Sequence, residues 1–311
     1  MHFSPIPMHI PDGFLSLSVS IICWAITASV VGAAISKTNK ALGEKQIPLM
    51  GVMAAFIFAA QMINFPVAGG TSGHLLGGAL AAIVLGPWAG MLVMTSVIAV
   101  QALLFQDGGL VVMGANILNM GLATAAVGYG LYRSMAGRSK SAKLAAAGIA
   151  AWLSVMTGAL LTSLQLWLSS TSDLQLVIPS MLGVHAVIGA GEALITTFAL
   201  GFIFQTRPDL LGEESESAKA SRGWVYVGGL IAIVVVLLSP FASTDPDGLE
   251  RVATDMGFIN AGQSAPYQLI SDYTIPFLGN THLSTIAAGL IGVIVVGLVV
   301  LLIGRGMKAK S

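Results

Sequence analysis

The chain has 311 residues, of which 55% are hydrophobic and only 9% are charged, and its mean hydropathy is +0.86. Soluble domains carry roughly a quarter charged residues, so this composition predicts a protein embedded in lipid. The 14 basic and 14 acidic residues balance, which leaves no basic surface for phosphates and excludes nucleic acid as a partner. The single cysteine, Cys23, lies in an apolar run and excludes disulfides and thiolate metal clusters.

Apolar runs bounded by charges, proline and glycine predict nine transmembrane helices. The runs lie near residues 14–36, 47–65, 74–87, 89–105, 112–132, 143–169, 178–205, 224–242 and 283–303. The third run is short for a hydrocarbon core about 30 Å thick. We therefore expect the N-terminus of the third helix to open into a cavity below the membrane surface.

Basic residues cluster between alternate predicted helices and at the C-terminus. Because such residues concentrate on the cytoplasmic side, they predict an N-terminus outside the cytoplasm, a cytoplasmic C-terminus and a location in the cell membrane. Of the 14 basic residues, only Arg251 then falls outside. The cytoplasmic set is Lys37, Lys40, Lys45, Arg133, Arg138, Lys140, Lys143, Arg207, Lys219, Arg222, Arg305, Lys308 and Lys310.

A polar segment at residues 206–223 reads as a cytoplasmic linker. It separates a core of seven helices at residues 8–205 from a unit of two helices at residues 224–311. The second unit contains a polar external loop at residues 243–282, which is too long for a bare turn. The predicted fold class is therefore an all-α integral membrane protein made of seven plus two helices.

The predicted topology places His2, His9, His74 and His282 outside, and His185 inside the seventh helix. His74 follows a glycine-rich loop, where backbone can approach an ion closely. It can equally be a polar cap of the third helix.

A chain that began at Met8 would carry a free amine one residue before His9. The amine, the deprotonated amide of His9 and its imidazole could fill three corners of a square plane, and His74 could fill the fourth. Such nitrogen donors suit Ni²⁺, Cu²⁺ and Co²⁺ and disfavour Mg²⁺ and Ca²⁺. The amine must be unprotonated, so binding should weaken as the pH falls.

Five motifs resemble the CbiM/NikM family, the metal-specific membrane subunits of energy-coupling-factor (ECF) transporters for cobalt and nickel. They occur in order and are MHIPDGFL at 8–15, GTSGHLLGG at 70–78, QDGG at 106–109, NILNMG at 116–121 and HAVIGAGEA at 185–193. The C-terminal unit carries PDGLE at 246–250 and resembles NikN-type auxiliary subunits. By itself, its Pro-Asp-Gly would be a turn.

The resemblance implies an ECF S-component-like bundle that captures Co²⁺ or Ni²⁺ as substrate and requires no cofactor. It implies that Met8, His9 and His74 hold the metal, with Met8 as the first residue. The seven residues before Met8 depart from the family pattern, and we interpret Met8 as the working start site. If the seven are retained, the amine chelate is lost. The sequence does not choose between nickel and cobalt.

Four polar side chains would hydrogen-bond the metal ligands or, alternatively, hold helices together. They are Ser72, Gln101, Asn116 and Asn119. His185 and Glu192 lie seven residues apart on one helix face, and we interpret both as structural.

The chain contains no Gly-x-x-x-x-Gly-Lys-Ser/Thr loop, so the resemblance implies a transmembrane coupling subunit and separate ATPases as partners. The alternative is a secondary-active or channel-type metal permease. That class usually has inverted repeats and acidic residues along a midplane path, whereas Glu192 is the only acidic residue well inside a predicted helix. An enzyme would need an open metal position, which a closed square plane lacks.

Overall fold

The computed structural model of the protein describes residues 8–41, 43, 46–135, 137–211 and 223–308. Its α-helices are α1 Leu17–Ala41, α2 Gln46–Gln61, α3 Gly78–Leu85, α4 Pro87–Val100, α5 Met113–Asn116, α6 Thr124–Arg133, α7 Lys140–Leu168, α8 Leu174–Thr206, α9 Gly223–Leu238, α10 Gly248–Asp255 and α11 His282–Lys308. Strands β1 Phe65–Val67 and β2 Thr71–Gly73 pair as an antiparallel hairpin.

Two π-helical turns interrupt the regular helices. One, Gln101–Phe105, continues α4, and the other, Ile117–Ala123, joins α5 to α6. Short 3-10 turns span Pro208–Leu211, Ser239–Phe241, Ile259–Ala261 and Ser271–Tyr273. Because π-helical turns frequently occur at functional sites, the segments beside these two turns are candidates for a functional site.

Six helices in the described part of the chain are long and apolar enough to cross a membrane. They are α1, α4 with its π-helical turn, α7, α8, α9 with its 3-10 extension, and α11. The most apolar stretch of α4 is 72% buried, whereas that of α9 is only 17% buried. Large apolar side chains such as Phe198 and Tyr226 therefore face outward, as lipid-facing residues do. The chain is a multi-pass membrane protein.

The third predicted helix begins later than the sequence indicated. The prediction that it starts at His74 is wrong, because α3 begins at Gly78 and His74 follows the β hairpin. Gly77 has a φ of +81°, which a right-handed helix cannot include. His74 is therefore not a helix cap. Of the predicted linker, residues 212–222 lie outside the described residues.

The C-terminal helices pack on α2 through small residues. A side chain at Gly292 of α11 would overlap Phe58, and one at Gly304 would approach Ile47 to within 2.9 Å. Such glycines allow membrane helices to approach closely. The C-terminal unit is thus packed against the core.

Four segments gather at one end of the bundle, namely residues 8–16, the β hairpin, the loop 106–112 and the segment 243–281. Backbone hydrogen bonds join them, from Gly109 to Ile10 (2.9 Å), from Ser72 to Pro246 (2.8 Å) and from Gln263 to Asp12 (2.7 Å). A further bond, from Ile270 to Leu104 (3.1 Å), joins the last segment to the π-helical turn that precedes the loop. This end of the bundle brings parts of the chain together that are far apart in sequence.

Candidate metal site

Asp12 fixes the N-terminal segment against the loop 106–112. Its carboxylate accepts hydrogen bonds from the backbone amides of Leu110 (2.9 Å), Val111 (2.9 Å) and Val112 (3.1 Å). The next residue, Gly13, has a φ of +90°, and a side chain there would overlap the carbonyl oxygen of a residue in the C-terminal unit. The Asp-Gly pair is thus required for the turn and for the close approach.

Asn116 holds the residue next to His9 at two points. Its side-chain oxygen accepts a hydrogen bond from the Ile10 amide at 3.1 Å, and its side-chain nitrogen donates to the Ile10 carbonyl at 3.0 Å. Asn116 is only 1% exposed. It therefore positions the backbone that carries His9 rather than contacting the imidazole.

The orientation of the His9 imidazole follows from its single hydrogen bond. Nδ1 lies 3.1 Å from the carbonyl oxygen of Asp107, and because a carbonyl only accepts, Nδ1 carries the proton in the neutral ring. Nε2 is then a bare acceptor, and it is buried without a hydrogen-bond partner among the described residues. Burial lowers the pKa of His9 below its ordinary value, although Asp107 opposes the shift. A neutral imidazole with a free lone pair is a metal ligand.

His74 has the same arrangement on the opposite side of the site. Its Nδ1 lies 3.0 Å from the carbonyl oxygen of Leu75, so Nε2 is again the acceptor. The centroids of the His9 and His74 rings are 5.6 Å apart and the rings are tilted by 57°. Both side chains are buried, at 2% and 8% exposed. The two imidazoles can therefore approach one ion.

Glu192 of α8 holds the segment that follows His74. Its two carboxylate oxygens accept hydrogen bonds from the amides of Leu76 (2.6 Å) and Gly77 (2.9 Å), and the side chain is fully buried. These contacts agree with the structural interpretation of Glu192, because this residue positions the backbone beside a candidate ligand.

We expect Glu192→Gln to destabilise the protein and to weaken metal binding. The amide would present N–H groups to a backbone N–H, and leaving one buried donor unsatisfied costs about 1–3 kcal/mol. Thermal unfolding and Ni²⁺ titration of the purified protein measure both effects. Asp255→Asn is the control, because that carboxylate is exposed and pairs with the side chain of Arg251 rather than with a backbone amide. Unchanged melting and affinity in Glu192→Gln would contradict the role.

A cavity of about 50 Å³ adjoins His74. Residues of both units line it, including Met8, His74, His185 and Asp247. Nδ1 of His185 lies 2.8 Å from the Met181 carbonyl oxygen within α8. Burial raises the pKa of Asp247 to about 7, so a cation entering the cavity would favour its charged form. The cavity has room for about one water molecule or ion.

No three His, Cys, Asp or Glu side chains come together to enclose an ion within residues 8–41, 43, 46–135, 137–211 and 223–308. The two imidazoles supply two donors, and a four-coordinate site needs two more. The arrangement thus suits a site that does not depend on side chains alone.

The remaining predicted residues hold the framework of this end. Ser72 donates to the Asp245 carbonyl oxygen at 2.8 Å, and Gln101 donates to the Tyr273 hydroxyl at 3.3 Å. Asn119 donates to Thr162 at 3.1 Å and pairs with Gln165. The observed hydrogen bonds of these residues match the alternative prediction, in which the side chains hold parts of the structure together.

Several residues at the site were missed by sequence reasoning. Asp12 and Asp107 lie within recognised motifs, but their partners are backbone groups of distant segments. Asp247 lies in the PDGLE motif, and no sequence pattern indicated that this motif would lie near His74. Tyr273 is an unremarkable residue of the predicted external loop, and only the packed structure reveals its contact with Asp107.

The fold and the site together define a multi-pass membrane protein with two buried imidazoles at one end of a helical bundle. Residues 9–210 match the CbiM family, described as the cobalt uptake substrate-specific transmembrane region, and residues 222–309 match the PDGLE domain. The chain belongs to the CbiM family and carries a C-terminal PDGLE domain, as the sequence motifs indicated.

The chain is similar to transport proteins and to a solved structure. A protein of Archaeoglobus fulgidus assigned as a fused nickel transport protein, NikMN, is 35% identical over 93% of this chain and 95% of its own length. The fused nickel transport protein NikMN of Rhodobacter capsulatus is 28% identical over 92% of this chain and 94% of its own length. The crystal structure of a truncated transition metal transporter is 34% identical, with a TM-score of 0.58 over 64% of this chain and 99% of that chain.

Proposed function

We propose that the protein captures Ni²⁺ or Co²⁺ outside the cell membrane and is the substrate-specific subunit of an ECF-type transporter. The observation that carries the proposal is the pair of buried imidazoles, His9 and His74, whose ring centroids lie 5.6 Å apart at one end of the bundle. The names of the relatives, nickel transport proteins, support this substrate class. The protein is not an enzyme in this proposal.

The proposed site has four nitrogen donors, namely the amine of Met8, the amide and imidazole of His9, and the imidazole of His74. In such a chelate the imidazole binds through Nδ1, because that atom closes a six-membered ring with the amide of the same residue. Nδ1 of His9 lies at the Asp107 carbonyl in this structure, so the ring would turn when the chelate forms. Met8 and His74 both line the adjoining cavity.

We further propose seven transmembrane segments in the core and two in the C-terminal unit. In this arrangement, three further transmembrane segments accompany the six long apolar helices. They are α2, α3 and the helical stretch from α5 to α6. The positions of the basic residues support a cytoplasmic C-terminus and an extracytoplasmic N-terminus. The candidate site then faces the side from which metal arrives. A transmembrane coupling subunit and ATPases are the proposed partners.

Uptake into vesicles distinguishes this function from the alternative, a secondary-active or channel-type permease. The purified chain reconstituted alone should bind Ni²⁺ and accumulate none inside, with or without an ion gradient. Vesicles that also hold the coupling subunit and ATPases should accumulate the metal when ATP is supplied. Uptake by the chain alone would contradict the ECF assignment and favour the permease.

A further inference from the structure

Residues 269–273 of the C-terminal unit dock against the π-helical turn Gln101–Phe105 and its exit. The side-chain oxygen of Gln106 accepts hydrogen bonds from the Leu269 amide at 3.2 Å and the Ser271 hydroxyl at 2.7 Å. Gln106 itself has a φ of +53° and ends the π-helical turn. The contact therefore fixes the C-terminal unit beside Asp107.

Tyr273 is held rigidly in this contact. Its ring stacks on Phe105, with centroids 4.9 Å apart and planes at 21°, and lies edge-on to Phe58 at 6.1 Å. Only 6% of the residue is exposed. Because both neighbours are themselves fully buried, the hydroxyl group has one defined position.

The direction of the hydrogen bonds around that hydroxyl is fixed as well. The side-chain nitrogen of Gln101 donates to the Tyr273 oxygen at 3.3 Å, so the hydroxyl proton is directed to Oδ2 of Asp107 at 2.8 Å. Burial and the nearby Asp107 raise the pKa of Tyr273 well above 10. The hydroxyl group therefore remains a donor.

Asp107 links this hydroxyl to the candidate ligand. Its carboxylate oxygen Oδ1 lies 3.9 Å from Nδ1 of His9. The hydrogen bond from Nδ1 to the Asp107 carbonyl at 3.1 Å is lost when the ring turns to bind metal, so the carboxylate is the link that remains. Oδ1 is buried and accepts no hydrogen bond from the described residues. A carboxylate this close to a metal-ligating imidazole offsets the charge of a bound dication. Groups of this kind orient ligands and tune metal affinity.

We propose that Tyr273 is a positioning residue supplied by the C-terminal unit, and that it acts on His9 through Asp107. The inference rests on the proposed function, since it assumes that His9 is a metal ligand. It gives the PDGLE unit a defined task, which is to complete the surroundings of a metal site whose ligands lie in the N-terminal unit. The site of the core is then fully ordered only when the C-terminal segment is docked.

The test is Tyr273→Phe in the full-length protein. Phenylalanine keeps the stacked ring and removes only the hydroxyl donor. We expect Ni²⁺ affinity to fall by about tenfold to a hundredfold, and the absorption band of the bound Ni²⁺ to shift because the His9 ligand is held differently. Tyr267→Phe is the matched control, because its hydroxyl donates to the Leu103 carbonyl at 2.9 Å and does not touch Asp107. That variant should retain both affinity and spectrum.

A double-mutant cycle with Asp107→Asn tests the path. If Tyr273 acts through Asp107, the double variant should lose no more affinity than the more damaging single variant. Additive losses, or an unchanged affinity and spectrum in Tyr273→Phe, would overturn the inference while leaving the proposed function in place. Undiminished affinity in His9→Ala would overturn both. A loss of affinity in Tyr273→Phe with an unchanged spectrum and a lowered melting temperature would show a merely structural role and overturn the inference.

Discussion

Substituting His9 by alanine is expected to lower the affinity for Ni²⁺ and Co²⁺ by about a hundredfold or more. Structural zinc sites with four protein donors bind their metal with about 10–16 kcal/mol, and on that scale an even share is about 3 kcal/mol for each donor. His9 is buried, with 2% of its surface exposed. Its Nε2 has no hydrogen-bond partner among the described residues, so the substitution breaks no hydrogen bond at that atom. Calorimetric titration of the purified protein measures the effect.

His74→Ala should give a loss of the same order, because its imidazole is the proposed fourth donor and lies 5.6 Å from the ring of His9. His282→Ala is the control, since this histidine is exposed at the start of α11. Its replacement should leave the affinity unchanged. Wild-type affinity in both His9→Ala and His74→Ala would eliminate the proposed site.

A chain that begins at Met8 is expected to bind Ni²⁺ about a hundredfold more tightly than a chain that retains residues 1–7. The longer chain replaces the amine of Met8 by an amide and removes one nitrogen donor, worth about 3 kcal/mol by the same even share. Intact mass identifies the form that is expressed, and titration of both purified forms compares them. Acetylation of the shorter form should remove the advantage.

The two forms should also differ in their dependence on pH. An α-amine has a pKa of about 7.7–8.0, and its proton competes with the metal, so binding by the Met8 form should weaken as the pH falls below about 8. The imidazole of His9 competes only at lower pH, because burial lowers its pKa below 6.5. Equal affinities and equal pH profiles for the two forms would contradict the amine chelate.

Much of the helical framework could be predicted from the apolar runs, because lipid requires long segments that satisfy their own backbone hydrogen bonds. The start of α3 could not, since the four residues before Gly78 are compatible with a helix by composition. The left-handed Gly77 and the two hydrogen bonds to Glu192 decide the matter, and both depend on tertiary contacts. The π-helical turns likewise have no periodicity that differs clearly from an α-helix over five to seven residues.

The proximity of His9 and His74 could be predicted from the sequence, whereas the residues that surround them could not. Topology and the motifs put His9 and His74 on one side, and the structure places their rings side by side. The contact of Tyr273 with Asp107 joins residues 166 positions apart, and such a pairing has no local signal. The same holds for the backbone bonds of Asp12, whose acceptor role depends on where the loop 106–112 folds back.

The N-terminal segment lies between the loop 106–112 and the C-terminal segment. Asp12 bonds to both, and the Phe14 ring meets Phe258 edge-on at 5.1 Å. The first part of the chain to be synthesised is thus covered by one of the last. During biosynthesis this segment stays uncovered until the ribosome has added more than 240 further residues.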